Sequence, residues 1–161
     1  NKEIAVVYGK EVLNKTKQTG IAASIQQAIF SEDSHRLQQL LNQFMLNSIA
    51  SIDGTNEGFY HGMMLGLCAV LSNRYQIRSN RESGLGRFDV VLVPKAKALP
   101  GFIYEFKFTR DETADLDQLA ETALKQIAEK KYDTELLSAG ITTIRKIGIA
   151  FRGKQAVVKC A

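Results

Sequence analysis

Phe102-Ile103-Tyr104-Glu105-Phe106-Lys107-Phe108 is the stretch that sets the fold. A strand period of two sends Phe102, Tyr104, Phe106 and Phe108 to one face and Ile103, Glu105 and Lys107 to the other. The sheet built around it therefore has an aromatic back and a charged front. Upstream, Tyr75 to Ser79 and Phe88 to Val93 show the same period, separated by the turn Ser83-Gly84-Leu85-Gly86 and followed by a Pro94 to Gly101 loop. Connections this short fit an antiparallel three-strand meander. Downstream, Asp111 to Lys130 reads as a helix with Leu116, Leu119, Ala120, Ala123, Ile127 and Ala128 on one face and acids in its first turns. Ile144 to Phe151 and Gln155 to Cys160, joined around Arg152-Gly153-Lys154, close the chain as two more strands. Ahead of the meander, Thr55 or Asn56 caps a helix from Glu57 that is apolar around most of its circumference, from Phe59 to Leu71, and hence buried. Helix, three strands, helix, two strands predicts an α/β (α+β) domain with helices flanking a mixed sheet.

The first third predicts helices only. A weak amphipathic pattern from Ile4 to Val12 stops at a terminator, Thr19-Gly20, and a second short run covers Ile21 to Phe30. A third, with Leu37, Leu40, Leu41, Phe44, Met45 and Ile49 at helical spacing, is capped by Ser31, Asp33 or Ser34 and ends at Asp53-Gly54. The chain has 161 residues, 45% hydrophobic and 24% charged, enough for a core without disulfides. Its two cysteines, Cys68 and Cys160, lack zinc-site spacing and favour a reducing, cytoplasmic setting. No apolar run is long enough for a bilayer span, so no membrane role is expected.

Charge is unevenly placed. The net value is +4, yet residues 1–56 are balanced, and the stretch 73–110 holds Arg74, Arg78, Arg81, Arg87, Lys95, Lys97, Lys107 and Arg110 against Glu82, Asp89 and Glu105. Such a basic segment enclosing a few carboxylates suits a polyanion held beside a metal, or is simply a solvated face. On the charged front, Asp89 lies one strand from Glu105 and can face it. Two carboxylates at close range repel unless a cation sits between them, and oxygen ligands with an incomplete protein shell are how Mg²⁺ is usually held. Lys107 could orient an attacking water, and the implied reaction is phosphodiester hydrolysis. Glu-x-Lys in an amphipathic strand is also the pattern of a surface ion pair.

Four ordered segments narrow this reading: Glu57-Gly58-Phe59-Tyr60-His61, Ser79 through Asp89, Tyr104-Glu105-Phe106-Lys107, and Ala123 through Tyr132. Together they resemble the PD-(D/E)XK nuclease superfamily, and within it the nuclease-like domain at the C-terminal end of bacterial AAA-ATPase-like proteins. The resemblance runs on through Gly148-Ile149-Ala150-Phe151 and the last strand. It implies a restriction-endonuclease-like core over residues 55–161, preceded by a helical connector, residues 1–54, that follows an AAA-like ATPase region in the full-length protein. It further implies Asp89 and Glu105 as ligands of Mg²⁺ or Mn²⁺ with the Phe106 carbonyl, and Lys107 as the catalytic lysine. Glu57 matches the acidic residue on the first core helix, which approaches the metal directly or through water. Gln126 matches the polar residue on the helix after the meander. The Pro of the motif is replaced by Phe88. The implied substrate is nucleic acid, DNA rather than RNA, with Arg81, Arg87 and Lys130 as candidate backbone contacts.

Each position also has a plainer role. Glu57 offsets a helix dipole, His61 has no partner histidine for a zinc site and is a hydrogen-bonded helix residue, and Glu82 pairs with Arg81 or Arg87. Gly84 and Gly86 are turn residues, and Lys130, Lys131 and Tyr132 end a helix. The alternative to a nuclease is a catalytically inactive module of the same fold that binds a partner or nucleic acid.

Overall fold

The computed structural model describes residues 19–48, 56–82, 87–129 and 132–161. Helices α1 (Thr19–Phe30), α2 (Ser34–Ser48) and α3 (Glu57–Ala69) precede strands β1 (Tyr75–Glu82), β2 (Arg87–Pro94) and β3 (Gly101–Phe108). Helices α4 (Leu116–Glu129) and α5 (Tyr132–Ser138) then lead to β4 (Ile144–Arg152) and β5 (Gln155–Cys160). The strands form one sheet in the order β1-β2-β3-β4-β5. Only β3 and β4 run parallel, because the connection between them is long enough to cross over and carries two helices. This is the predicted mixed sheet with its antiparallel meander, the layout of a restriction-endonuclease-like core.

The aromatic face forms the main core. Phe102, Tyr104, Phe106 and Phe151 are fully buried there, with Tyr60 of α3 stacked on Phe151 at 4.7 Å. Ile25 and Ile29 of α1 and Leu37, Leu41, Phe44 and Met45 of α2 join the same cluster. The amide side chains of α2 also cover the edge strand. Asn42 accepts from Ala156 N (2.7 Å) and donates to Ala156 O (3.1 Å), while Gln38 accepts from Val158 N (3.0 Å). These bonds satisfy backbone groups that would otherwise invite another strand. The opposite face carries two smaller apolar clusters under α4 and α5, one with Val91, Ile103, Ile127, Leu136 and Ile141, the other with Leu116, Ala120 and Ala150.

Several local expectations change. Thr19-Gly20 opens α1 rather than ending a helix; first-turn N–H groups have no intrahelical partner, so glycine costs little there. The Ile4 to Val12 pattern, Asp53-Gly54 and the Ser83 to Gly86 turn lie outside the described residues. Of the three candidate caps for α2, Asp33 does the work, its Oδ1 accepting from Arg36 N at 2.8 Å. Asn56 caps α3 by accepting from Phe59 N at 3.0 Å. The helix predicted from Asp111 begins only at Leu116, because Asp111 closes a turn on Thr113 instead, accepting from its N (2.8 Å) and Oγ1 (2.6 Å). Tyr132, read as a helix end, begins α5, which stops at Gly140 in the left-handed region (φ 82°).

Both thiols sit in this core and are free. Burial pushes Cys68 up to about 12 and Cys160 up to about 11. Neither forms appreciable thiolate at neutral pH, so a thiol reagent at pH 8 reacts with the native protein far more slowly than with the protein in denaturant. Equal rates would show that the back of the sheet opens freely.

Candidate functional site

Alternation on the central strands brings the front-face residues into one row. Asp89 on β2 lies directly opposite Glu105 on β3, and Glu105 lies beside Gly148 on β4. Side chains opposed in an antiparallel pair have Cβ atoms about 5 Å apart. Both carboxylates are enclosed, Asp89 3% exposed and Glu105 0%. Lys107 follows two residues along β3 on the same face, paired with Arg87 and Ala150, and is half-buried. The row sits between the two apolar clusters of this face.

Gly148 explains the enclosure. A Cβ there would meet Ala120 O at 2.4 Å and Leu124 N at 2.7 Å, so the backbone of α4 rests on β4 beside Glu105. No other residue permits that approach. Two residues beyond Leu124, Gln126 is half-buried, and its enclosed Oε1 accepts no hydrogen bond from the described residues. The far end of the site is pinned by Arg152. Its Nη1 donates to the carbonyls of Asp111 and Glu112 (both 3.1 Å) and Ala114 (2.8 Å), fixing the link between β3 and α4. Neither role is legible in sequence, where Gly148 is one glycine in a strand and Arg152 one residue of a turn.

Glu57 stands in the first turn of α3, half-buried with Oε1 enclosed. This helix packs on the aromatic side, its first turns lying against Phe108 and Phe151 through Tyr60. Among the described residues no three of His, Cys, Asp and Glu gather into a group able to hold a metal. The structure thus unites Asp89 and Glu105 as a pair and places Glu57 outside a three-carboxylate cluster. Arg87 and Arg81 lie at the same end of the meander by register, their side chains outside the described set, as is Lys130.

The basic segment is not one patch. Arg74, Lys95 and Lys97 cluster at the opposite end of the meander, where Lys95 Nζ donates to Ser72 O at 2.8 Å, and Arg78 pairs with Glu135 of α5. Only Arg81, Arg87, Lys107 and Arg110 share the carboxylate end, because successive strands of a meander run in opposite directions.

A family model of the PD-(D/E)XK nuclease superfamily matches residues 55–160, from just before the Asn56 cap to the last residue of β5. The chain belongs to this superfamily. No curated protein matches it. In this PD-(D/E)XK domain the row Asp89, Glu105, Lys107 lies within the matched region, on its two central strands. The donor set fits a hard divalent cation, since two opposed, enclosed carboxylates are oxygen ligands of the right type and too few for a closed cage. Among the described residues no helix is long and apolar enough to cross a membrane.

Proposed function

We propose that this chain is a metal-dependent phosphodiesterase that hydrolyses nucleic acid. The observation that carries the reading is the register that sets enclosed Asp89 against enclosed Glu105 with Lys107 next on the same face. Asp89 and Glu105 would hold Mg²⁺ or Mn²⁺, with the backbone carbonyl of Phe106 as a further ligand. When bound, such an ion polarises a phosphoryl oxygen and lowers the pKa of a coordinated water. Lys107 orients the attacking water and offsets the negative charge that builds on the phosphate. Gln126 presents its amide to the site from α4, and Glu57 acts through water from the end of α3. Arg81, Arg87 and Lys130 contact the substrate backbone. Family resemblance supports DNA as the substrate and an AAA-like ATPase region in the full-length protein. On the same ground residues 1–54 are the connector and 55–161 the nuclease domain. Two free thiols suit a cytoplasmic location.

The test is cleavage of supercoiled and single-stranded DNA with Mn²⁺, Mg²⁺ or EDTA, beside Glu105→Ala and Lys107→Ala prepared identically. Metal-dependent cutting that disappears in both variants is expected. Cutting that persists in either variant would assign the activity elsewhere, and no cutting with any metal would favour the inactive module.

A further inference from the structure

The two outer edges of the sheet differ. The amides of Gln38 and Asn42 close β5, whereas among the described residues no strand or amide pairs with the outer side of β1. One bond shows which backbone groups of β1 face outward. Lys95 N donates to Arg74 O at 2.8 Å, so Arg74 and Lys95 are a hydrogen-bonded pair continuing the β1–β2 ladder. Alternation makes Gln76, Arg78 and Asn80 the next residues bonded inward, and Pro94, which has no N–H, falls opposite Tyr75 in a pair that needs none. The N–H and C=O groups of Ile77, Ser79 and Arg81 therefore point away from β2, and no hydrogen bond among the described residues reaches them. Proline, a bulge or an unpaired lysine usually guards such an edge. β1 contains neither proline nor lysine, runs in unbroken register, and has the charge of Arg78 taken up by Glu135.

The sequence of this edge is complementary to itself. An antiparallel copy centred on Ser79 pairs Ser79 with the partner's Ser79 and Ile77 with the partner's Arg81, which uses every outward N–H and C=O group of these residues. It also sets Arg78 opposite the partner's Asn80 and Gln76 opposite the partner's Glu82, so no like charges meet, and Arg78 lies diagonal to the partner's Glu82. Neighbouring registers fit less well. Centring on Arg78 sets that arginine against the partner's Arg78, and centring on Asn80 runs Ile77 past the end of the partner strand. Exposure agrees, with Gln76, Arg78 and Ser79 exposed and Ile77 only half-buried.

We propose that the outer edge of β1 is a dimer interface, at which a second copy of this chain adds its own β1 in antiparallel register about Ser79. The two five-stranded sheets become one continuous sheet. Residues opposed in an antiparallel pair share a face, so both carboxylate rows open on the same side, with the two Asp89 positions about 15 Å apart from strand spacing and rise. The inference goes beyond the nuclease reading and does not depend on it.

The test is sedimentation of the parent chain up to millimolar concentration, beside Ser79→Pro, Ser79→Cys and Arg78→Cys. The parent is expected to pass from one chain to two as concentration rises. Ser79→Pro removes an outward N–H and no ladder bond to β2, a position where an edge strand accepts proline, so it should keep the parent's circular dichroism and dimerise about 10- to 100-fold more weakly. Crosslinking reads the register without relying on that variant. Residues in a hydrogen-bonded antiparallel pair have Cα atoms about 5.5 Å apart, within disulfide reach, whereas the two Arg78 positions are about 8 Å apart and beyond it. Mild oxidation should therefore join Ser79→Cys into a covalent dimer, with Arg78→Cys staying at the background of the parent, whose own thiols are Cys68 and Cys160. A parent that stays a single chain throughout, a folded Ser79→Pro that dimerises as the parent does, or crosslinking of Arg78→Cys as readily as Ser79→Cys would overturn the proposal. None of these results bears on DNA cleavage, so the nuclease reading stands or falls separately.

Discussion

Replacing Glu105 by glutamine lowers the metal-dependent cleavage rate by about 10³-fold or more, equivalent to ~4 kcal/mol of transition-state stabilisation. The side chain keeps its shape, so the loss reports the charge alone. The ion gives a second readout, because Asp89 and Glu105 face each other in the register and are 3% and 0% exposed, an enclosed position for two oxygen ligands. Adding Mn²⁺ raises the parent's Tm through mass action, by an amount equivalent to ~2.7 kcal/mol at a hundredfold excess over Kd, and leaves the variant's Tm where it was. A variant that melts well below the parent in EDTA would show that Glu105 serves the fold first. Equal Tm increases with Mn²⁺ would place the ion somewhere else.

Gly148→Ala is the second large effect, and it acts without touching a charged group. The added methyl would lie 2.4 Å from Ala120 O and 2.7 Å from Leu124 N, both backbone atoms that cannot rotate away. Either α4 lifts off β4 or the sheet yields, at a cost of about 2–3 kcal/mol. For a chain of this size that corresponds to a fall in Tm of about 5–10 °C. Because α4 carries Gln126 and closes over Glu105, cleavage falls more than the loss of folded protein explains when assayed well below the Tm. Gly20→Ala is the contrasting change. Nothing lies within 4 Å of its Cβ position, and alanine is the better helix former, so thermal denaturation should show unchanged or slightly raised stability. Equal melting temperatures for Gly148→Ala and the parent would mean that the helix does not rest on the strand.

Much of this architecture was legible because β3 states its two faces so clearly. Four aromatics at alternate positions can be buried together only if Glu105 and Lys107 share the other side, and the short loop between β2 and β3 then brings Asp89 opposite Glu105. Three features were not legible, each for a physical reason. Aspartate favours turns and helix caps alike, so Asp111 and Asp115 looked like the start of a helix where they build an Asx turn and then a cap, Asp115 Oδ1 accepting from Gln118 N at 3.2 Å. Helix α5 has only seven residues and follows two lysines that read as a helix end. Its place is fixed by tertiary contacts, namely Leu136 in the front cluster and Lys146 Nζ on Asp133 at 3.1 Å. The close approach at Gly148 depends on what lies across from it, which periodicity within one strand does not contain. The basic segment shows the same limit. Neighbours in sequence along a meander are sent to opposite ends of the sheet, so Lys95 and Lys97 part from Arg87 although few residues separate them.

Integration of the N-terminal helices with the nuclease-superfamily core has a similar origin. Family similarity begins at residue 55, whereas the hydrophobic cluster behind the sheet continues through α1 and α2. Gln38 and Asn42, one helical turn apart, bond the backbone of β5 at Val158 and Ala156. The candidate active site on the front face thus stands on a sheet whose back and outer edge are stabilised by segments outside the matched region.

Whether the Asp89–Glu105 pair is a divalent-cation site is tested most directly by calorimetric titration of the metal-free chain with Mn²⁺, because the readout does not require a substrate. One ion bound per chain by the parent, with binding lost in both Asp89→Asn and Glu105→Gln, is the predicted result. No binding to the parent, or undiminished binding to either variant, would contradict it.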